Sequence, residues 1–307
     1  MALHSLTSVT IGVPDVTETA AFYGEFGLEP EGDGWFTTRD GGRQLHIVWA
    51  PTRRLVELRV GVDHPDDLVA VAARLTDLGI QHHNDLTTLI AYEKVTKVFA
   101  VLEVTDPLLQ DAAPDTPCNG PGRLERADAR APGVLRSNPV RPRKLGQVVV
   151  GTTDLDRTTT FFREGIGLSA SDYLKDEGVF LRCSTDHHNL LLLTAPVGFL
   201  HRTSWQVDDV DEIGRGAAAM LKDHPERHVW GLGRHRAGSH FFWYLKDPAG
   251  NFTAYYSDMD CIVDDRLWTP EALDGTDGLL SWGPPPPPSF LHPEDLADLM
   301  TEAHAAP

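Results

Sequence analysis

The sequence predicts an α+β protein made of four βαβββ modules paired into two domains, followed by an extended C-terminal tail. Three observations carry that expectation. Val9-Thr-Ile-Gly-Val-Pro-Asp-Val-Thr-Glu-Thr-Ala-Ala-Phe-Tyr23 recurs in outline as Val148-Val-Val-Gly-Thr-Thr-Asp-Leu-Asp-Arg-Thr-Thr-Thr-Phe-Phe162, with Gly12 matching Gly151, Asp15 matching Asp154 and Phe22 matching Phe161. An internal repeat outranks any single residue as a guide to architecture, because one supersecondary unit has been used more than once. Strand-period and helix-period stretches follow the same order four times, over about 5–50, 54–105, 144–196 and 200–258. Finally, the hairpin Gly231–Tyr256 concentrates ionisable and aromatic groups, and the chemistry is expected there.

Residues 6–13 alternate as a strand, and Asp15 is placed to cap a helix reaching Phe26. Stretches 36–38 and 45–49 read as strands and complete the first module. The second has strand 55–62, helical periodicity over Pro65–Leu78, and strands near 87–92 and 97–104. Residues 106–143 are rich in Pro, Gly, Asp and Arg without sustained periodicity, which suits an interdomain connection. In the fourth module, strand 202–207 leads through Asp208-Asp209 into helix 210–221 and then the hairpin. The expected units are an N-terminal domain 1–110, a linker 111–143, a C-terminal domain 144–260 and a tail 261–307.

Within the hairpin, Asp247-Pro-Ala-Gly-Asn251 makes the corner: Pro248 presets φ, and Gly250 and Asn251 tolerate positive φ. Period-two alternation gives Phe242 and Tyr244 one face, and likewise Ala254 and Tyr256. The tail carries Trp268, Trp282 and prolines 284–288, and is expected to strap across a domain surface rather than serve as a partner's extended ligand.

A formal net charge of −18 argues against nucleic-acid and anionic-membrane partners, which need a basic footprint. Only Cys118, Cys183 and Cys261 occur, with no Cys-x-x-Cys, so reduced thiols in a cytoplasm are expected. The N-terminus shows no signal-peptide pattern, and no stretch approaches eighteen apolar residues. The excess of arginine over lysine hints at a GC-rich bacterial genome, and a homo-oligomer is possible.

Four such modules, with Gly-Arg-His235 and Phe242-x-Tyr-x-x-Asp-Pro-x-Gly-Asn251 near the end, resemble the vicinal oxygen chelate superfamily of glyoxalases, bleomycin-resistance proteins and dioxygenases. More narrowly, residues 1–265 resemble type I extradiol catechol dioxygenases. That resemblance implies Fe(II) held in the C-terminal domain by two histidines and a glutamate, leaving positions open for substrate and oxygen. Matched by motif, the three ligand positions hold Gln147 after Leu145-Gly146, Arg202 after His201, and Ala254 after Gly250-Asn251-Phe-Thr. Alternation along a strand turns His201 away if Arg202 faces the pocket, so neither a metal nor another cofactor is expected. The resemblance does match the proton-handling positions. His188, in Asp186-His187-His188-Asn189, takes the acid/base place, His235 a hydrogen-bonding place, and Tyr244, nine residues on, the place touching a substrate hydroxyl.

The leading expectation is therefore a metal-independent enzyme of secondary metabolism performing acid/base chemistry on a small oxygenated aromatic, enolic or polyketide-like compound, by isomerisation, cyclisation or carbon–carbon lyase or hydrolase action. His188 would be the base, His235 and Tyr244 hydrogen-bond donors, and Arg202 the holder of an anionic oxygen, with Gln147, Trp243, Ala254 and Tyr256 lining the pocket. Two alternatives stand beside it: a non-catalytic protein that sequesters a small molecule, and an extradiol-type dioxygenase with an atypical metal or none. His187 is expected to face outward, and His46, His82, His83, His224 and His228 to be surface or structural. Glu57 and Glu103 read as charged edge or interdomain positions rather than a second metal site.

Overall fold

The repeated aspartates are helix caps. Asp15 accepts from Glu18 N at 2.8 Å to start α1 (Val16–Glu25), and Asp154 accepts from Arg157 N at 3.0 Å to start α3 (Leu155–Thr160). Asp209 does the same for α4 (Val210–Leu221). The second module reaches the same end differently: Pro65 opens α2 (Pro65–Asp77), and Asp67 accepts from His64 N. Helix α3 runs on as a π-helical turn through Ile166 and stops at Gly167, whose φ of 105° suits glycine.

The computed structural model describes residues 3–305; residues 1–2 and 306–307, the ends of the expected N-terminal domain and tail, lie outside the described residues. The first two modules form an eight-stranded sheet from β1 (Leu3–Val13), β2 (Glu29–Gly32), β3 (Trp35–Thr37), β4 (Arg43–Trp49), β5 (Arg54–Val62), β6 (His82–Asn84), β7 (Thr88–Glu93) and β8 (Val98–Val104). Its order is β2-β3-β4-β1-β5-β8-β7-β6. Each module's first strand lies parallel to its fourth, and the two first strands meet antiparallel at the centre.

The second pair repeats this plan with β9 (Lys144–Thr152), β10 (Ser169–Leu174), β11 (Gly178–Arg182), β12 (Leu190–Thr194), β13 (Phe199–Gln206), β14 (His228–Arg234), β15 (Phe241–Lys246) and β16 (Phe252–Ser257). A short β17 (Ala272–Leu273) from the tail adds to β10, giving the order β14-β15-β16-β13-β9-β12-β11-β10-β17. This is the α+β fold expected from the repeat.

Alternation sorts each strand between two environments. On β9, Val148 and Val150 face the main core beneath the helices, whereas Val149 joins Phe180, Leu191 and Leu273 on the inner side of the curled sheet. The two halves of the chain pack closely. Phe26 of the first module stacks on Tyr255 at 4.0 Å between ring centroids, and the Tyr255 hydroxyl donates to Phe26 O at 2.7 Å. Such a stack adds about 0.5–1.5 kcal/mol beyond its buried area. Arg143 is buried between Asp40 and Asp208, joining linker, first module and fourth.

The tail is fixed at several points. Phe290 is buried, Leu299 packs on Val197 and Phe199, and Arg53 forks onto Asp295. Glu57 and Glu103 both pair with Arg59, at 2.6 and 3.1 Å. All three cysteines are unpaired, and no helix of the described residues is long and apolar enough to cross a membrane.

Candidate functional site

The inner face of the second sheet collects a group of polar side chains in an otherwise apolar lining. Gln147 comes from β9, His188 from the turn before β12, Arg202 from β13, Tyr244 from β15, and Ala254 and Tyr256 from β16. His235 and His240 flank the loop between β14 and β15. Every one of these residues is at most 5% exposed. Trp230, Phe242, Tyr244, Phe252, Ala254 and Phe290 make one apolar wall. Backbone must come close for the site to close: a Cβ on Gly146 would lie 1.8 Å from the Tyr256 hydroxyl oxygen, so glycine precedes Gln147 for a steric reason.

Two hydrogen-bonded chains run through the site. Asp172 Oδ2 meets His187 Nε2 at 3.0 Å, His187 Nδ1 meets His188 Nδ1 at 3.0 Å, and His188 Nε2 meets Gln147 Oε1 at 2.9 Å. Gln147 Nε2 then donates toward His240 Nε2 at 3.3 Å. With the amide so oriented, His188 donates from Nε2, and its Nδ1 is left to meet His187 Nδ1. His240 therefore carries its proton on Nδ1, and that buried atom has no partner. In the second chain, His235 Nδ1 donates to Leu279 O at 2.6 Å, leaving Nε2 to accept from the Tyr244 hydroxyl at 2.9 Å.

Charge is distributed unusually. Arg202 is fully buried, yet no carboxylate of the described residues forms an ion pair with it. Its Nη1 contacts His201 Nδ1 at 3.3 Å, its guanidinium lies 5.5 Å from the Tyr244 ring centroid and 5.3 Å from that of Phe290, and its Nε is unpartnered. Burial, helped by the charge of Arg202, pushes His235 down to about 3. Burial, then the neighbouring cations, pushes His188 and His240 well below the ordinary histidine value. The Tyr244 hydroxyl is raised by burial, with Arg202 opposing.

Of the residues singled out from the sequence, His188, His235, Tyr244, Gln147, Arg202, Ala254 and Tyr256 come together. Trp243 does not. It faces the opposite side of β15, half-buried, and its Nε1 donates to His228 Nδ1 at 3.1 Å; the period-two alternation that brings Tyr244 inward turns Trp243 out. His187 is also a correction: it is fully buried and sits between Asp172 and His188 because residues 187–188 lie in a turn, where alternation does not apply. His201 does not turn away from Arg202. A register shift between Leu200 and Arg202 breaks the alternation, and both side chains reach Phe290, His201 by an Nε2 hydrogen bond to its carbonyl at 2.7 Å. Sequence reasoning missed His240, Asp172 and Phe290. His240 was findable, five residues after His235 in the same glycine-flanked loop; nothing local marks Asp172 or Phe290.

The divalent ion implied by the resemblance does not fit this donor set. Both polar atoms of the Gln147 amide are engaged by histidines, Ala254 offers no donor atom, and Arg202 fixes a positive charge beside them. Both ring nitrogens of His188 and of His235 are also taken. Among the described residues, no group of three or more His, Cys, Asp or Glu side chains is placed to hold a metal.

Residues 144–255 match the family model described as Glyoxalase/Bleomycin resistance protein/Dioxygenase superfamily. The chain is 37% identical over 176 residues to metapyrocatechase 2 of Cupriavidus necator, covering 56% of this chain and 55% of that protein. It is 25% identical over 157 residues to a manganese-dependent 2,3-dihydroxybiphenyl 1,2-dioxygenase of Geobacillus genomosp. 3, covering 47% and 50%. The chain thus spans about half the length of the curated relatives it matches. The Mn(II)-bound glyoxalase of Novosphingobium aromaticivorans has the same fold, with a TM-score of 0.75 at 23% identity over 99% of both chains.

These findings overturn the expectation of a metal-independent isomerase, cyclase, lyase or hydrolase: the curated relatives are named as a metapyrocatechase and a dioxygenase, the latter manganese-dependent. The physical ground for that expectation also fails, since an imidazole held far below its ordinary pKa is a weak base at neutral pH. The alternative that keeps oxygen chemistry is the better supported. Residues 144–255 thus match the glyoxalase/bleomycin resistance protein/dioxygenase superfamily model, and over 56% of its length the chain is similar to a metapyrocatechase.

Proposed function

We propose that the chain is an extradiol-type dioxygenase acting on a catechol-like aromatic, a reaction that adds both atoms of dioxygen and opens one ring carbon–carbon bond. The observation that carries this reading is the gathering of His188, His235 and Tyr244 in one buried cluster, within a chain 37% identical to a metapyrocatechase over the matched region. The roles follow from the hydrogen bonds. His235, fixed by Leu279 O, accepts the Tyr244 O–H, which sets the orientation of the tyrosine oxygen toward a substrate hydroxyl. His188, held by His187 and Gln147, faces the same interior and orients the ring. Arg202 favours the ionised form of a substrate hydroxyl, the electron-rich form on which oxygenation depends. No step is assigned to a metal, because the donor set does not fit one. Unpaired cysteines favour a reducing, cytoplasmic setting.

The test is oxygen consumption with catechol, 3-methylcatechol and 2,3-dihydroxybiphenyl, using protein as purified, chelator-treated, and supplied with Fe(II) or Mn(II). Uptake matched one-to-one by a ring-opened product supports the proposal, and the arm in which it occurs identifies the metal requirement. Absence of uptake across the panel in all arms refutes it.

A further inference from the structure

The place that the resemblance assigns to a metal is taken here by a buried cation of the chain itself, and no carboxylate of the described residues forms an ion pair with it. Three buried donors of the chamber have no acceptor: Arg202 Nε, His240 Nδ1 and the Tyr256 hydroxyl. Each orphan costs about 1–3 kcal/mol, and more for the charged one, so an acceptor brought to it is favoured. The orphans lie along one strip of buried side chains: the His240 ring centroid lies 5.6 Å from that of Tyr256 and 4.7 Å from that of His235, whose Nε2 binds Tyr244 beside Arg202. A buried guanidinium with an unpaired N–H makes a site for an anionic oxygen.

The chamber also holds an aromatic ring supplied by the tail. Phe290 is 2% exposed and packs on Tyr244 and Trp230 at 4.8 Å, stacks on Phe252 at 5.5 Å, and faces the Arg202 guanidinium. Its backbone is held only by neighbouring residues and by His201, which donates to Phe290 O. The short turn Pro288–Leu291 that carries it follows the proline run, so it can leave the chamber without disturbing a sheet.

We propose that this chamber binds an aromatic compound bearing an anionic oxygen, either a phenolate or an aryl carboxylate, whose oxygen pairs with Arg202 and whose ring replaces that of Phe290. Phe290 is the chain's own occupant, giving the empty protein a closed apolar wall but no negative charge. Ligand and tail therefore compete, and the ligand wins by supplying the counter-ion. The proposal rests on reading the inner face as the reaction site but not on the reaction, so a protein that binds these ligands without consuming oxygen would sink the proposed function and leave this inference standing.

The test is calorimetric titration with 4-nitrocatechol as the phenolate, benzoate as the carboxylate and benzamide as the neutral control. Wild type is expected to prefer one or both anions to benzamide, with the two anions telling phenolate from carboxylate. Phe290→Ala is expected to bind the preferred anion about tenfold or more tighter, since no ring has to be displaced. Arg202→Met is expected to abolish the preference for anions while benzamide binding stays put. Hydrogen exchange at Leu291 and His292 is expected to quicken on ligand addition to wild type. Equal binding of benzoate, 4-nitrocatechol and benzamide by Phe290→Ala, or anion preference surviving in Arg202→Met, would overturn the proposal. Phe290→Leu, which keeps an apolar plug but loses the ring, replaces Phe290→Ala if circular dichroism shows the latter unfolded; no anion binding by either folded variant also overturns it.

Discussion

Replacing Arg202 with methionine should stabilise the ligand-free protein, and the reasoning can be worked through with magnitudes. Burying one ion costs several kcal/mol even after relaxation. Against that cost Arg202 has one long hydrogen bond to His201 at 3.3 Å, an interaction with the Tyr244 hydroxyl, and two ring faces beyond 5 Å. The hydrogen bond is worth about 1 kcal/mol, and each cation–π contact about 0.5–2 kcal/mol. The return at best matches the cost, and no carboxylate of the described residues forms an ion pair that would add to it. Methionine fills a similar length and gains about 0.3–1.5 kcal/mol from sulfur–aromatic contact with Tyr244 and Phe290. The expected change is a gain of about 1–4 kcal/mol, the range found when buried ions give way to apolar residues. Urea unfolding followed by circular dichroism measures it. Arg53→Met serves as the opposing control, because Arg53 is equally buried but satisfied, donating to Asp295, Leu200 O and Asn251. Removing it strands those acceptors and should cost about 3 kcal/mol or more. If Arg202→Met loses 2 kcal/mol or more, Arg202 is a structural cation and the account of an unpaired charge is wrong.

Acid should destabilise the protein well before carboxylates titrate. His235 is held at about 3 against an ordinary 6.5, and His188, His201 and His240 are shifted in the same direction, so below pH 6.5 the unfolded chain binds protons that the folded one refuses. Stability present above pH 6.5 is lost as pH falls toward 3, at about 1.4 kcal/mol per pH unit for each histidine. Asp247, raised to about 6 by burial, works the other way between pH 6 and 3.8 and offsets about one histidine. The urea midpoint should thus drop steadily from pH 6.5 to 4.5, and a flat midpoint over that window would contradict the buried-neutral assignment. Asp172→Asn should cost about 2–3 kcal/mol in the same assay, since the carboxylate holds both His187 and Glu271 N at 2.8 Å; a change under 0.5 kcal/mol would mean that the chain from Asp172 to Gln147 does not order the site.

What the sequence made legible was local and repeated. Asp15 and Asp154 are readable because capping is settled within three residues, and their recurrence exposed the modules. The chamber was readable where strand alternation holds, as for Tyr244, Ala254 and Tyr256. It was misread where the backbone departs from alternation: the shift before Arg202 brings His201 inward, and the turn at 187–188 buries His187. Trp243 was misplaced for the opposite reason, a regular strand whose alternation was not applied to it. Phe290 was out of reach of any local rule. Its position depends on where a tail settles after a proline run, and that is decided by the wall it meets in another module.

The substitutions at the ligand positions keep one quantity constant. A divalent ion held by two neutral histidines and one glutamate, the set that the resemblance implies, leaves a site with one net positive charge. Gln147, Arg202 and Ala254 together also leave one net positive charge, now carried by a guanidinium. An ionised substrate oxygen therefore meets the same net charge, but through directional N–H donors rather than by coordination. That bears on binding and on activity differently. Attraction for an anion survives the exchange, whereas two-point chelation and oxygen coordination have no equivalent among Gln147, Arg202 and Ala254. Binding of anions is thus the property that the chamber's residues supply unaided, and oxygen uptake with and without added metal measures how much chemistry remains on top of it.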